Sequence, residues 1–259
     1  MTVESGPDAV DILGVRVHAT SYADATARIV HWAERGESRY VCCANVHVVM
    51  EARDSPPYAE VLRNAALVTP DGMPLVWFAR GLGLLQPRVY GPDLMLHVCA
   101  SAAAHRVPIG LYGSTDDTLD ALQGGLHARF PELAIAYRHA PPFRAARADE
   151  DEAVVADCRR AGVRILFVGL GCPKQEHWMA AHAGRIPAVM IGVGAAFAFH
   201  AGKVAQAPAW MQTRGLEWLY RLSREPRRLA GRYIRHNPRF VARALPALLR
   251  QRASAGSRS

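Results

Sequence analysis

Short apolar runs and longer polar–apolar segments alternate along most of this chain. Residues 10–17, 39–43, 66–69, 109–112, 134–138, 164–168 and 188–193 are largely apolar and are bounded by turn residues. Runs of that kind predict buried strands. Between them, residues 22–36 repeat at helical spacing, with Ala23, Ala27, Ile29, Val30 and Trp32 apolar and Ser21 placed as an N-cap. Further helices are predicted over residues 46–52, 59–64, 74–80, 117–130, 150–161 and 174–182. Strands that alternate with helices imply an α/β fold, Rossmann-like, with a mostly parallel sheet and crossover helices. Such sheets bind ligands beyond the C-terminal ends of their strands. Residues 43–45, 70–72 and 169–176 lie at such ends.

The pattern changes near Pro208. From there the chain reads as arginine-rich helix with Trp210, Trp218, Tyr220, Tyr233 and Phe240 interspersed. Pro226, Pro238 and Pro246 predict a break into short pieces, and residues 254–259 are expected to fray. The predicted division is an α/β body over residues 1–206, holding most of the core, and a basic helical appendage over residues 207–259. Charge sharpens it. The whole chain carries a net +8, yet residues 214–259 hold 12 arginines against only Glu217 and Glu225. The rest of the chain is close to neutral. A neutral body with a cationic tail calls for an anionic partner of the tail. Half the residues are hydrophobic and 21% charged, which excludes disordered and collagen-like classes. The longest uncharged apolar stretch, residues 186–199, contains Pro187, Gly192 and Gly194 and falls short of the roughly 20 residues of a membrane span. The acidic start lacks a basic-then-apolar leader. The five cysteines include no C-x-x-C pair and read as reduced cytoplasmic thiols with no zinc site.

Several residues have the chemistry of a site. In Val168-Gly-Leu-Gly-Cys-Pro173, Gly169 and Gly171 could bring backbone N–H groups to a phosphate, or simply form a tight turn. The stretch lacks the third glycine of a dinucleotide fingerprint and the Gly-Lys-Ser/Thr of a P-loop. Lys174, Gln175 and Glu176 follow, suited to sugar hydroxyls or phosphate, or to an ordinary polar helix start. Asp71, on the turn Pro70-Asp71-Gly72, could accept a proton from a substrate hydroxyl or close an Asx-turn. Asp149-Glu150-Asp151 is a literal D-x-D, but it lies in a run of acids that favours a helix start. There is no H-E-x-x-H, no metal-ligand cluster by spacing, and no G-x-S-x-G. Arg221, Arg224, Arg227, Arg228, Arg232 and Arg235 recur mostly three and four apart, and their forks suit diphosphate. The α/β rhythm alone also admits a nicotinamide-dependent oxidoreductase, and the tail alone a non-enzymatic module binding anionic membrane or nucleic acid.

Seven motifs in order resemble the WecG/TagA/CpsF family of bacterial glycosyltransferases. They are Asn45 after a strand, Pro70-Asp71-Gly72, Arg88-Val-Tyr-Gly-Pro-Asp-Leu94, Val168-Gly-Leu-Gly-Cys-Pro-Lys-Gln-Glu176, Ile191-Gly-Val-Gly194, Ala207-Pro-Ala-Trp210, and Gly215-Leu-Glu-Trp-Leu-Tyr-Arg221 with Glu225-Pro-Arg227. The resemblance implies a Rossmann-like body with a membrane-proximal basic appendage. It implies inverting transfer of a sugar from a UDP-sugar to a polyprenyl-diphosphate-linked sugar at the inner face of the membrane, without a metal or other cofactor and without nucleic acid. N-acetylmannosamine, its uronic acid and glucose are donor sugars of similar enzymes. Asp71 matches the base; Asn45, Arg88 and Gln175 match substrate-binding positions, with Gly169, Gly171, Lys174 and Glu176 beside them. Arg221, Arg224 and Arg228, with Arg232 next in the series, correspond to the arginines that meet lipid diphosphate and membrane. Two departures stand out: Cys43 replaces a threonine common two residues before the asparagine, and Gln206-Ala-Pro replaces Arg-Ala-Pro.

Overall fold

In the computed structural model, which describes residues 8–84, 86–144 and 146–256, six of the predicted strands line up as one parallel sheet. The chain opens differently. Residues 10–17 are not one strand but an antiparallel hairpin of Ala9–Ile12 (β1) and Val15–His18 (β2). Leu13 and Gly14 turn it, both at positive φ. Gly14 signals such a two-residue turn, but leucine in the first position hides it. Tyr22–Glu34 (α1) is capped as predicted, with Ser21 Oγ accepting from the Asp24 amide at 3.2 Å. Arg39–Ala44 (β3) runs into Val46–Asp54 (α2) and Pro56–Arg63 (α3), and Leu67–Pro70 (β4) into Met73–Gly81 (α4).

Gly91–Ala104 (α5) has no counterpart among the predicted helices. It buries Leu94, Met95, Val98, Cys99 and Ala102 and packs against α1, and a helix apolar on most sides lacks the polar stripe that marks a surface helix. Ile109–Gly113 (β5), Asp116–Arg129 (α6), Ile135–His139 (β6), Ala148–Arg160 (α7), Ile165–Gly169 (β7), Lys174–His182 (α8) and Val189–Gly192 (β8) then fall close to the predicted bounds. Ala196–His200 (α9), Ala209–Thr213 (α10), Glu217–Arg224 (α11) and Pro226–Gly256 (α12) complete the order.

The strand order is β4-β3-β8-β7-β5-β6, every neighbouring pair parallel. Core side chains cover both faces, as parallel sheets require. The register that matters for function is Ala44 opposite Pro70 on β3 and β4. It sets Asn45 and Asp71 side by side, just past two adjacent strand ends. The amides of Asp71 and Gly72 both donate to the Ala44 carbonyl, at 2.8 and 3.2 Å, and pin the turn there.

Pro226 breaks the tail as expected, starting α12 just after α11 ends, but the other two prolines do not cut it. Pro238 and Pro246 lie inside α12, a continuous helix of 31 residues, about 46 Å long. An interior proline costs a helix about 3 kcal/mol, so packing has to compensate. Leu229, Phe240, Ala244 and Ala247 are buried, and α12 packs against α2 and α4. Arg239 and Arg235 both reach Asp54 on α2, the first at 2.6 Å. Phe240, Ala244 and Ala247 thus join the same core cluster as the β3 side chains Tyr40, Cys42 and Ala44. Residues 254–256, expected to fray, end α12, while residues 257–259 and residues 1–7, where the sequence predicts no leader, lie outside the described residues. Phe240→Ala should therefore lower the unfolding free energy by about 3 kcal/mol, read as a lower urea midpoint at unchanged slope; a tail merely resting on the body would leave the midpoint in place.

Candidate active site

Beyond the ends of β3 and β4 a cavity of about 500 Å³ opens between the body and the tail. Asn45, Asp71 and Arg88 line it from the body, and Glu217, Arg221 and Arg232 from the tail. Asn45 is the N-cap of α2: its Oδ1 accepts from the amides of His47 and Val48, at 3.0 and 3.3 Å. Its Nδ2 is left to donate to Asp71 Oδ2 at 3.2 Å. The Gly91 amide, at the start of α5, donates to Asp71 Oδ1 at 2.9 Å. Gly72 lets the turn approach this closely, since a Cβ there would stand 3.0 Å from that of Asn45. Both carboxylate oxygens of Asp71 are thus held by donors rooted in helix starts. Burial pushes the Asp71 carboxyl above its ordinary value; Arg88 opposes the shift and Glu217 adds to it.

Arg88 is anchored rather than free. Its Nε donates to the Asp71 carbonyl at 2.5 Å, and a terminal nitrogen donates to Glu217 at 2.6 Å. Its guanidinium lies 4.0 Å from the centre of the Tyr90 ring. Tyr90 OH donates to the other Glu217 oxygen at 2.8 Å. Glu217 is the residue the motif reading passed over. It is buried, and it is one of two acids in an otherwise cationic tail; that isolation is the signal that could have singled it out.

The tail arginines divide. Arg221 and Arg232 line the cavity, and Arg221 Nε is buried with no hydrogen-bond partner among the described residues. Burial lowers the pKa of Arg232, the sign of a cation held partly out of water. Arg224 and Arg228 point elsewhere: both are exposed, the first near the Tyr220 ring and the second paired with Glu225 at 2.6 Å.

The glycine turn after β7 does not share this cavity. Gln175 Oε1 accepts from the amides of Gly171 and Gly194, at 3.1 Å each, and so occupies turn donors that a phosphate would need. Gln175 Nε2 donates to Glu176 at 2.8 Å. Both side chains are buried, and burial pushes the Glu176 carboxyl up. Gly169 packs on the Phe197 ring, and Lys174 stands exposed at the start of α8. Cys43 is buried opposite Thr69 on β4, its thiol pushed up to about 12 by burial; it is not part of the cavity wall. Asp149 and Asp151 are engaged by Arg147 at 3.0 Å and by Arg185 and His182 at 2.9 Å in the first turn of α7.

The double use of Asn45 separates two effects. Asn45→Ala should cost about 1 kcal/mol through the lost cap, whereas Asn45→Ser keeps the cap and should stay within about 0.5 kcal/mol of the parent. Both remove the amide donor to Asp71, and the serine hydroxyl is one bond shorter than the amide nitrogen it replaces, so both should lose activity; full activity in the alanine variant would show that the Asn45–Asp71 bond is idle.

The WecG/TagA/CpsF glycosyl transferase family model matches residues 10–254. N-acetylglucosaminyldiphosphoundecaprenol N-acetyl-beta-D-mannosaminyltransferases of Staphylococcus aureus strains NCTC 8325 and MRSA252 are each 30% identical over 227 residues, covering 85% of this chain and 87% of their own. A match that runs over nearly the whole chain shows that it belongs to the WecG/TagA/CpsF family and is a glycosyltransferase.

Proposed function

We propose that this enzyme moves a sugar of the N-acetylmannosamine type from UDP to a polyprenyl-diphosphate-linked sugar, with inversion, in surface polysaccharide synthesis. The supporting observation is one cavity that holds both a positioned carboxylate, Asp71, and a half-buried cation, Arg221, whose Nε has no hydrogen-bond partner among the described residues. Asp71 takes the proton of the acceptor hydroxyl. The hydroxyl oxygen bonds to the anomeric carbon as the bond from that carbon to UDP breaks on the opposite face, and UDP departs with the electron pair. The proton ends on Asp71. Arg221 and Arg232 face the cavity where diphosphate charge needs an offset. Arg88 acts through its grip on the Asp71 backbone. The step calls on no metal.

The acceptor is a membrane lipid, and the tail supplies a way to reach it. Among the described residues no helix is long and apolar enough to cross a membrane. The outer face of the tail carries Arg224, Arg227 and Arg228, with Trp218 and Leu219 exposed nearby. Cations near an anionic leaflet contribute roughly 1 kcal/mol each. We assign the appendage, residues 207–259, to peripheral attachment at the inner leaflet. Arg224→Glu, Arg227→Glu and Arg228→Glu together should abolish sedimentation with anionic liposomes; retained sedimentation at physiological salt would overturn that assignment.

The reaction is tested by UDP release from UDP-N-acetylmannosamine, its uronic acid and UDP-glucose with a synthetic prenyl-diphosphate-linked N-acetylglucosamine. Asp71→Asn should cut turnover by about 10²–10⁴ with UDP affinity little changed, and undiminished turnover would remove Asp71 from the chemistry. Asp71 must be ionised to act, and its pKa is raised. Activity should therefore fall with decreasing pH at a value above the ordinary carboxylate range. Glu217→Gln removes a neighbouring negative charge, so it should move that acid limb to lower pH; a limb that stays in place would break the link between the two carboxyls.

A further inference from the structure

Along the chain no spacing suggests a metal site, yet the fold gathers three ligand-type side chains where α12 crosses α2. We propose that His47, Glu51 and His236 bind a zinc-class divalent ion that clips the tail helix to the body. His47 and Glu51 sit four residues apart on α2, hence on one helix face. His236 comes from α12, and the three ligand atoms lie within 4.8 Å of one another.

The geometry is that of an ion site more than of a hydrogen-bonded triad. Glu51 Oε1 is 3.2 Å from His236 Nε2 and 3.6 Å from His47 Nδ1. A tetrahedral ion with bonds near 2.0–2.2 Å holds its ligand atoms roughly 3.3–3.6 Å apart. The longer separation is poor for a hydrogen bond, and His47 Nδ1 is buried with no hydrogen-bond partner among the described residues. A buried polar atom without a partner is costly; an ion would supply that partner and draw the two rings together.

Charge and chemistry agree. Burial holds His47 down to about 3 and lowers His236 as well, so both rings are neutral, the form that binds metal. The cations facing them are Arg232 near His47, and Arg235 and Arg239 near His236. Asp54 pairs with the last two. Two imidazoles and one carboxylate suit zinc rather than magnesium or calcium, which want oxygen throughout. Three protein ligands leave one coordination position open. His47 and His236 also line the cavity. The site borders the cavity assigned to the transfer reaction, so its test reads metal binding instead of turnover.

The full-length chain, stripped with chelator and dialysed, is titrated with cobalt(II) and then zinc. One cobalt per chain is expected, with the absorption of a four-coordinate nitrogen–oxygen site and no thiolate charge-transfer band. Zinc should displace it and raise Tm, and magnesium should not. Glu51→Gln, nearly isosteric, and His236→Gln should each weaken cobalt binding by at least about tenfold, the scale of loss seen even for outer-shell partners, and remove the zinc-dependent rise in Tm. Far-UV circular dichroism of the Glu51→Gln chain checks that it remains folded. Absence of saturable binding, a thiolate band, or binding that survives both substitutions would overturn the proposal.

Discussion

Glu217 ties together the two parts of the chain that form the cavity. Its two oxygens are taken by Arg88 and by Tyr90, both on the segment that leads into α5. Arg88 in turn holds the carbonyl of Asp71. A buried carboxylate without such partners would cost several kcal/mol, and removing one partner of a buried pair typically costs about 3–5 kcal/mol. The start of α11 is thereby tied to Asp71. Through Glu217 the tail also acts on Asp71 at a distance, since its negative charge adds to the burial that raises the Asp71 carboxyl.

The parallel sheet supplies the other half of the constraint. Adjacent strands in register end at the same level, so Asn45 and Asp71, far apart in the chain, emerge as neighbours. Each then uses a helix start. Asn45 caps α2 with one end of its amide and steadies Asp71 with the other, while the first amide of α5 holds the second Asp71 oxygen. The same backbone features that terminate strands and begin helices therefore orient the carboxylate, and no separate scaffold is needed.

The basic tail has two faces with different work. Arg221 and Arg232 are turned inward toward the cavity, while Arg224, Arg227 and Arg228 face solvent. The inward cations are partly desolvated, which strengthens their pull on an anion. The outward ones are screened by salt and act collectively. α12 itself rests on α2, where Arg239 pairs with Asp54 and His236 with Glu51.

How much of this was legible in the residues follows from what is local. The strands of the main sheet announce themselves as short apolar runs, and Ser21 marks the start of α1. Asp71 is visible as a carboxylate on a turn past a strand, and the family motifs bring Asn45 and Arg88 beside it. What stayed hidden depends on contacts distant in sequence. The helix α5 is masked because it is buried, and α12 survives two prolines because Phe240 and its neighbours pack on the body. Gln175 looks like a ligand-binding residue at a helix start, but its amide closes two glycine turns from within. Glu217 looks like a stray acid, and His47, Glu51 and His236 like unrelated polar residues, until α11 and α12 fold back over the sheet. Local order is set by spacing, turns and caps, which neighbouring residues carry. Which charges are paired, which are buried and which face a cavity is decided only when the tail docks, because burial and pairing are properties of three-dimensional neighbours.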